Sequence, residues 1–115
     1  FVASEAGFAP IKGLIEHAMS LDRAELLHLY WHAARPAGHY LVNLCRAWAD
    51  ALDNFRYTTM AGGGAEDLVG RMARDHADLA AFDIYLAGPE TFVDGAAKTL
   101  AQQGFPAAQL VAAAT

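Results

Sequence analysis

The stretch Phe82-Asp83-Ile84-Tyr85-Leu86-Ala87-Gly88-Pro89-Glu90-Thr91-Phe92-Val93 runs from an apolar segment into an amphipathic one across a glycine and a proline. Phe82–Ala87 reads as a strand, because a short run that is apolar at nearly every position suits a sheet covered on both faces. Gly88 lets the backbone turn closely, and Pro89 suits the start of a helix. From about Glu90 to Gln103, residues Phe92, Val93, Ala96, Ala97 and Leu100 fall on one helical face, and Gly104 ends the run. A strand passing directly into a helix is the repeating unit of a parallel sheet.

The same unit recurs upstream. Phe1–Ala3 reads as the tail of a buried strand and Gly7–Pro10 as a tight turn. The helix that follows places Ile11, Leu14, Ile15, Ala18 and Met19 inward, with Lys12 and Glu16 outward. Leu26–Trp31 is the second strand, followed by a helix over about Gly38–Leu52 with Leu41, Leu44, Cys45, Trp48 and Leu52 inward. Phe55–Met60 is the third strand. Gly62, Gly63 and Gly64 then break the chain, and Glu66 and Asp67 open a helix whose Leu68, Val69, Met72 and Ala73 share a face. Gln109–Ala113 forms a weak fifth strand. This alternation predicts one α/β domain over residues 1–115, an open, doubly wound, Rossmann-like parallel sheet of about five strands with helices on both faces.

Composition narrows the function classes. Of 115 residues, 55% are hydrophobic and 18% charged, which supports a packed core and excludes disorder. The net charge of -5 and eight scattered Lys and Arg argue against a nucleic-acid partner. No apolar run approaches the roughly 20 residues that span a bilayer. Cys45 has no second thiol to pair with, which points to a reducing, cytoplasmic setting. His28 and His32 lack the cysteine or carboxylate companions of a metal site, so no metal is expected. The chain starts at Phe1 inside an apolar stretch, and the expectation is a domain of a larger product.

In a doubly wound sheet, ligands bind beyond the carboxyl ends of the strands, where strand order reverses. The segments of interest are therefore the strand-to-helix turns Ser4–Pro10, His32–His39, Ala61–Asp67 and Ala87–Thr91. Gly7 precedes a helix whose free N–H groups and positive dipole end suit a pyrophosphate, or else it only makes a tight turn. Glu5 works against the phosphate, since its carboxylate is drawn to the same helix end. Gly88 admits a flat ligand close to backbone, while Arg35 either meets a phosphate, stacks on adenine or is merely solvated. No catalytic side chain is assigned.

Taken in order, these segments resemble the pyridine-nucleotide domain of the ferredoxin-NADP reductase family. The likeness is carried by Gly7-Phe8-Ala9-Pro10-Ile11-Lys12, Leu29-Tyr30-Trp31, Tyr40-Leu41, Trp48-Ala49, Phe55-Arg56-Tyr57 and Asp83 to Pro89, and it spans nearly the whole chain. It is nearest to the CDP-6-deoxy-glucoseen reductase-like and oxygenase-reductase members. The resemblance implies that NAD(P)H, with NADH slightly favoured, binds across the carboxyl edge and gives a hydride to FAD in a separate flavin-binding domain of the same polypeptide. It also implies a 2Fe-2S cluster in a further module and an oxygenase or ferredoxin as electron acceptor. The cofactor-binding residues it points to are Gly7, Phe8, Ala9, Pro10, His32, Arg35, Ala87, Gly88, Pro89 and Glu90.

The chain departs from the family at four places. Glu5-Ala6-Gly7 stands where relatives carry Gly-Thr-Gly, and Ala87-Gly88-Pro89 where many carry Cys-Gly-Pro. The usual glycine and arginine after strand two are His32 and Ala34, with Arg35 one place on, and the chain ends Ala112-Ala113-Ala114-Thr115 without the aromatic tail that shields the flavin. These departures keep a second reading open, a non-catalytic interaction or regulatory domain whose nucleotide site has decayed.

Overall fold

The computed structural model describes residues 1–115. Five strands form one sheet, β1 (Val2–Ser4), β2 (Leu27–Ala33), β3 (Phe55–Ala61), β4 (Ile84–Gly88) and β5 (Leu110–Ala114), in the order β3-β2-β1-β4-β5. Every neighbouring pair is parallel. Four α-helices connect them, α1 (Phe8–Leu21), α2 (Val42–Ala51), α3 (Ala65–Asp75) and α4 (Glu90–Gln102). The doubly wound α/β fold expected from the sequence is borne out.

Alternation along the strands divides the core into two layers. Val2, Tyr30, Ile84 and Leu86 face α3 and α4, where they pack with Leu68, Val69, Met72, Phe92, Val93 and Leu100. Ala3, Leu29, Trp31 and Ala87 face α1 and α2, packing with Phe8, Ile11, Ile15 and Cys45. Successive β-strand side chains point to opposite faces, so one short strand serves both layers. β3 and β5 are the sheet edges and accordingly carry half-exposed or exposed positions.

Trp31 is the largest fully buried side chain. In register, its neighbours on the same face are Ala3 and then Ala87, and these small residues leave room for Phe8 to descend onto the sheet. The Phe8 and Trp31 rings stack with centroids 3.9 Å apart and planes 12° off parallel. This contact draws the start of α1 onto the carboxyl edge, and α1 begins at Phe8, ahead of Pro10.

Several boundaries differ from the sequence reading. β2 runs on through His32 and Ala33, because both continue the ladder with Met60 and Ala61 of β3. The second helix starts later than Gly38. Pro36–Gly38 forms a single 3-10 turn, and His39 is held out of the helix by the hydrogen bond of its Nε2 to the Trp31 carbonyl, 2.8 Å. β4 begins at Ile84 rather than Phe82, which follows another 3-10 turn over Leu79–Ala81.

Burial pushes the Cys45 thiol up to about 11, so it stays protonated as a core residue on α2.

Candidate functional site

β1 and β4 are neighbours, yet the chain leaves β1 for α1 on one face and β4 for α4 on the other. Strand order reverses between them, and a crevice opens at their carboxyl ends. The two turns meet through glycines. A Cβ on Gly7 would clash with the Ala87 carbonyl oxygen and lie 2.6 Å from its carbon and 2.7 Å from Gly88 Cα. A Cβ on Gly88 would lie 2.9 Å from Ser4 Cβ and 3.1 Å from Ser4 O. Neither glycine has a positive φ, so what each position demands is close approach of backbone to backbone.

The residues singled out from sequence fall into two groups. Gly7, Phe8, Ala87 and Gly88 are buried at the β1–β4 junction, with the Phe8 and Ala87 side chains turned into the core so that only their backbone faces the edge. Ala9, Pro10 and Glu90 are exposed and Pro89 half-buried on the two helix starts beside it. Arg35 is exposed on the turn after β2 and makes no ion pair. His32 is buried, stacked on Phe92 at 4.8 Å, and spans three turns. Its Nε2 donates to the Gly63 carbonyl, 3.0 Å, which leaves Nδ1 to accept from the Ser4 hydroxyl, also 3.0 Å. Sequence reading missed Ser4 and Gly63, because nothing local links them to His32.

Glu5 sits in the left-handed region, φ 54, and its carbonyl accepts from Trp31 Nε1 at 3.1 Å. Its carboxylate does not lie at the start of α1, where its sequence position suggests. Oε1 accepts from the Ala34 N–H, 2.6 Å away, at the end of β2. α1 carries no acidic residue in its first turn, whereas α3 carries Glu66 and Asp67 and α4 carries Glu90. In the glycine triplet, the Gly64 N–H is taken by Asp67 Oδ2 at 2.8 Å, so that amide is already engaged within its own turn.

A cavity of about 320 Å³ lies at the opposite, amino edge of the sheet, lined by Phe1, His28, Tyr30, His76, Phe82 and Tyr85 among others. It is the wrong end for a dinucleotide. The helices run opposite to the strands, so their negative dipole ends face this edge and disfavour phosphate. His28 Nδ1 and His76 Nε2 share a hydrogen bond of 2.8 Å, and His28 Nε2 pairs with Thr58 Oγ1 at 2.9 Å. Tyr30 donates to Asp75 Oδ2 at 2.8 Å; this bond holds the carboxyl below its usual range, while burial, followed by that same bond, pushes the phenol up.

Burial, followed by the nearby charge of His76, lowers His28 to about 4. An unfolded chain takes up this proton from about pH 6.5 downwards and the folded one only near 4. Stability supplied by neutral His28 is therefore complete above the upper value and lost as pH falls through the window. Urea midpoints should decline on acidification across that range, and His28→Leu should flatten the decline. An equal slope in the variant contradicts the assignment.

Comparisons with known proteins place the chain in a family and a fold. The chain is 28% identical over 112 residues to CDP-6-deoxy-L-threo-D-glycero-4-hexulose-3-dehydrase reductase of Yersinia pestis, covering 90% of this chain and 33% of that protein. It is 25% identical over 125 residues to the propane 2-monooxygenase reductase component of Rhodococcus jostii, covering 96% and 33%. The chain thus spans about a third of the length of the curated relatives it matches. Among solved structures, the CS-b5R domains of human Ncb5or in the NAD+ form superpose with a TM-score of 0.83 at 12% identity, covering 96% of this chain and 35% of that one. The ferredoxin reductase of carbazole 1,9a-dioxygenase gives 0.72 at 19%, covering 99% and 36%. The expected kinship with ferredoxin-reductase-type proteins is borne out. With residues 1–98 matching its model and the strand reversal standing where a dinucleotide fold requires it, the chain belongs to the oxidoreductase NAD-binding domain family.

Proposed function

We propose that this domain holds NAD(P)H, NADH in preference to NADPH, across the β1–β4 junction and presents the nicotinamide to FAD in a flavin-binding domain of the same polypeptide. Electrons then pass to an oxygenase or ferredoxin, through a 2Fe-2S cluster where a further module carries one, in the cytoplasm. The bound nucleotide supplies the hydride, and the protein contributes orientation and electrostatics.

The observation that carries this reading is the start of α1 beside the strand reversal, a helix end with no acid in its first turn. No first-turn acid neutralises that helix end, and the Glu5 carboxylate is held away on Ala34. Backbone N–H groups of Gly7 and Ala9 suit a pyrophosphate there, with Pro10 fixing the first turn and Phe8, whose own N–H closes the 3-10 turn over Glu5–Gly7, holding the loop in place. Across the junction, backbone of Ala87, Gly88 and Pro89, with Glu90 opening α4, forms the floor for the nicotinamide. Buried His32, both ring nitrogens engaged, braces three of the turns, and Arg35 flanks the adenosine end.

Anaerobic titration of the flavoprotein that carries this domain tests the reading. Flavin absorbance should bleach with NADH and at higher concentration with NADPH. Absence of bleaching by either, with no heat of binding, would favour a decayed nucleotide site and an interaction role.

A further inference from the structure

We infer that Glu5 is the residue that sets the choice between a 2′-hydroxyl and a 2′-phosphate on the adenosine ribose, acting from the first turn at the end of the second strand. The inference rests on the nucleotide reading above and names the specificity determinant of that same site.

Dinucleotide folds commonly read the ribose 2′-hydroxyl with an acidic side chain just beyond β2. Here the segment His32-Ala33-Ala34-Arg35-Pro36-Ala37-Gly38-His39-Tyr40 contains no acid. The folded chain supplies one from elsewhere. The left-handed backbone of Glu5, with its carbonyl bonded to Trp31 Nε1, directs the side chain sideways, and Oε1 accepts from the Ala34 N–H at 2.6 Å. Oε2 accepts no hydrogen bond and lies beside Gly38, 3.0 Å from where a Cβ on that residue would stand. A Cβ at position 38 would crowd Ala33 Cβ at 2.7 Å as well as this carboxylate, and glycine there spares both.

One oxygen is therefore fixed by backbone and the other is free to accept. A ribose hydroxyl can donate to Oε2 in a charge-assisted bond, whereas a phosphate presents only negative charge and acceptors to it. Arg35 on the same turn exerts the opposite pull. It is exposed, without a partner to hold it, and must lose side-chain freedom to meet a phosphate, while the Glu5 carboxylate is already in position.

Calorimetric titration of the chain with ADP-ribose and with 2′-phospho-ADP-ribose tests this, in the wild type and in Glu5→Gln. The wild type should bind the unphosphorylated ligand about tenfold more tightly or better. Glu5→Gln should shrink that ratio by about tenfold, chiefly through tighter binding of the phosphorylated ligand. A carboxylate that only braces the turn would, on removal, weaken both ligands alike and leave the ratio unchanged, which overturns the inference. So does a wild type that prefers the phosphorylated ligand. If neither ligand binds the folded wild type, the nucleotide reading itself falls and this inference with it. Should Glu5→Gln fail to fold, raising the salt concentration on the wild type serves instead. The ratio should narrow as repulsion is screened, and a ratio indifferent to salt contradicts the inference.

Discussion

Trp31→Ala should lower the unfolding free energy by about 3–5 kcal/mol, the range for removing a large buried aromatic. The side chain is fully buried and sits at the point where several elements meet. Its loss removes the stack with Phe8 that seats α1, the edge contacts with His39 and Tyr40, and the donor to the Glu5 carbonyl. Trp31→Phe separates these contributions. It keeps most of the apolar packing and forfeits the N–H, so its cost should be nearer 1–3 kcal/mol. Urea unfolding of both variants measures the difference. A loss below about 1 kcal/mol for alanine would mean that Trp31 does not hold the first turn as described.

Gly7→Ala should be nearly as damaging, about 3 kcal/mol, at the upper end of the usual overpacking range. The methyl group would meet the Ala87 carbonyl and Gly88 Cα, and backbone inside a paired strand cannot yield as a flexible side chain can. β1 and β4 would have to part where the crevice opens. Gly88→Ala meets Ser4 at a slightly longer 2.9 Å, through Cβ, and should cost less. Thermal unfolding distinguishes them, with Gly7→Ala melting lowest. Wild-type stability in Gly7→Ala would show that the turns are not packed together.

Much of this fold was legible in the sequence because both faces of the sheet are covered. Runs such as Leu26–Trp31 then read as buried strands, and Leu68, Val69 and Met72 or Phe92, Val93, Ala96 and Leu100 read as helix faces. Boundaries moved where a tertiary contact outweighed local preference. His39 leaves the second helix for the Trp31 carbonyl, and β2 extends because β3 offers partners. Strand order is not encoded in any period; the folded chain supplies it as β3-β2-β1-β4-β5, and the arrangement around the crevice follows from it.

The candidate site was legible at its glycines and obscure at its polar groups. Gly7 and Gly88 stand out because each punctuates a strand-to-helix turn. The bonds that organise the edge join residues 28, 29 and 31 positions apart, from Ser4 to His32, Glu5 to Ala34 and His32 to Gly63. No spacing rule reports such pairs. Glu5 was read as lying on the helix end next to it in sequence, and only its left-handed φ, invisible to pattern, sends the carboxylate to the second turn instead.

The most direct test is a map of amide chemical shifts in the isotope-labelled chain as NADH is added. If the dinucleotide lies across the β1–β4 junction, the amides of Gly7, Phe8, Ala34 and Gly88 should move together and saturate at one concentration, while those of His28 and His76 stay in place. Shifts concentrated on the amino-edge residues His28, His76 and Phe82, with Gly7 and Gly88 unmoved, would contradict it.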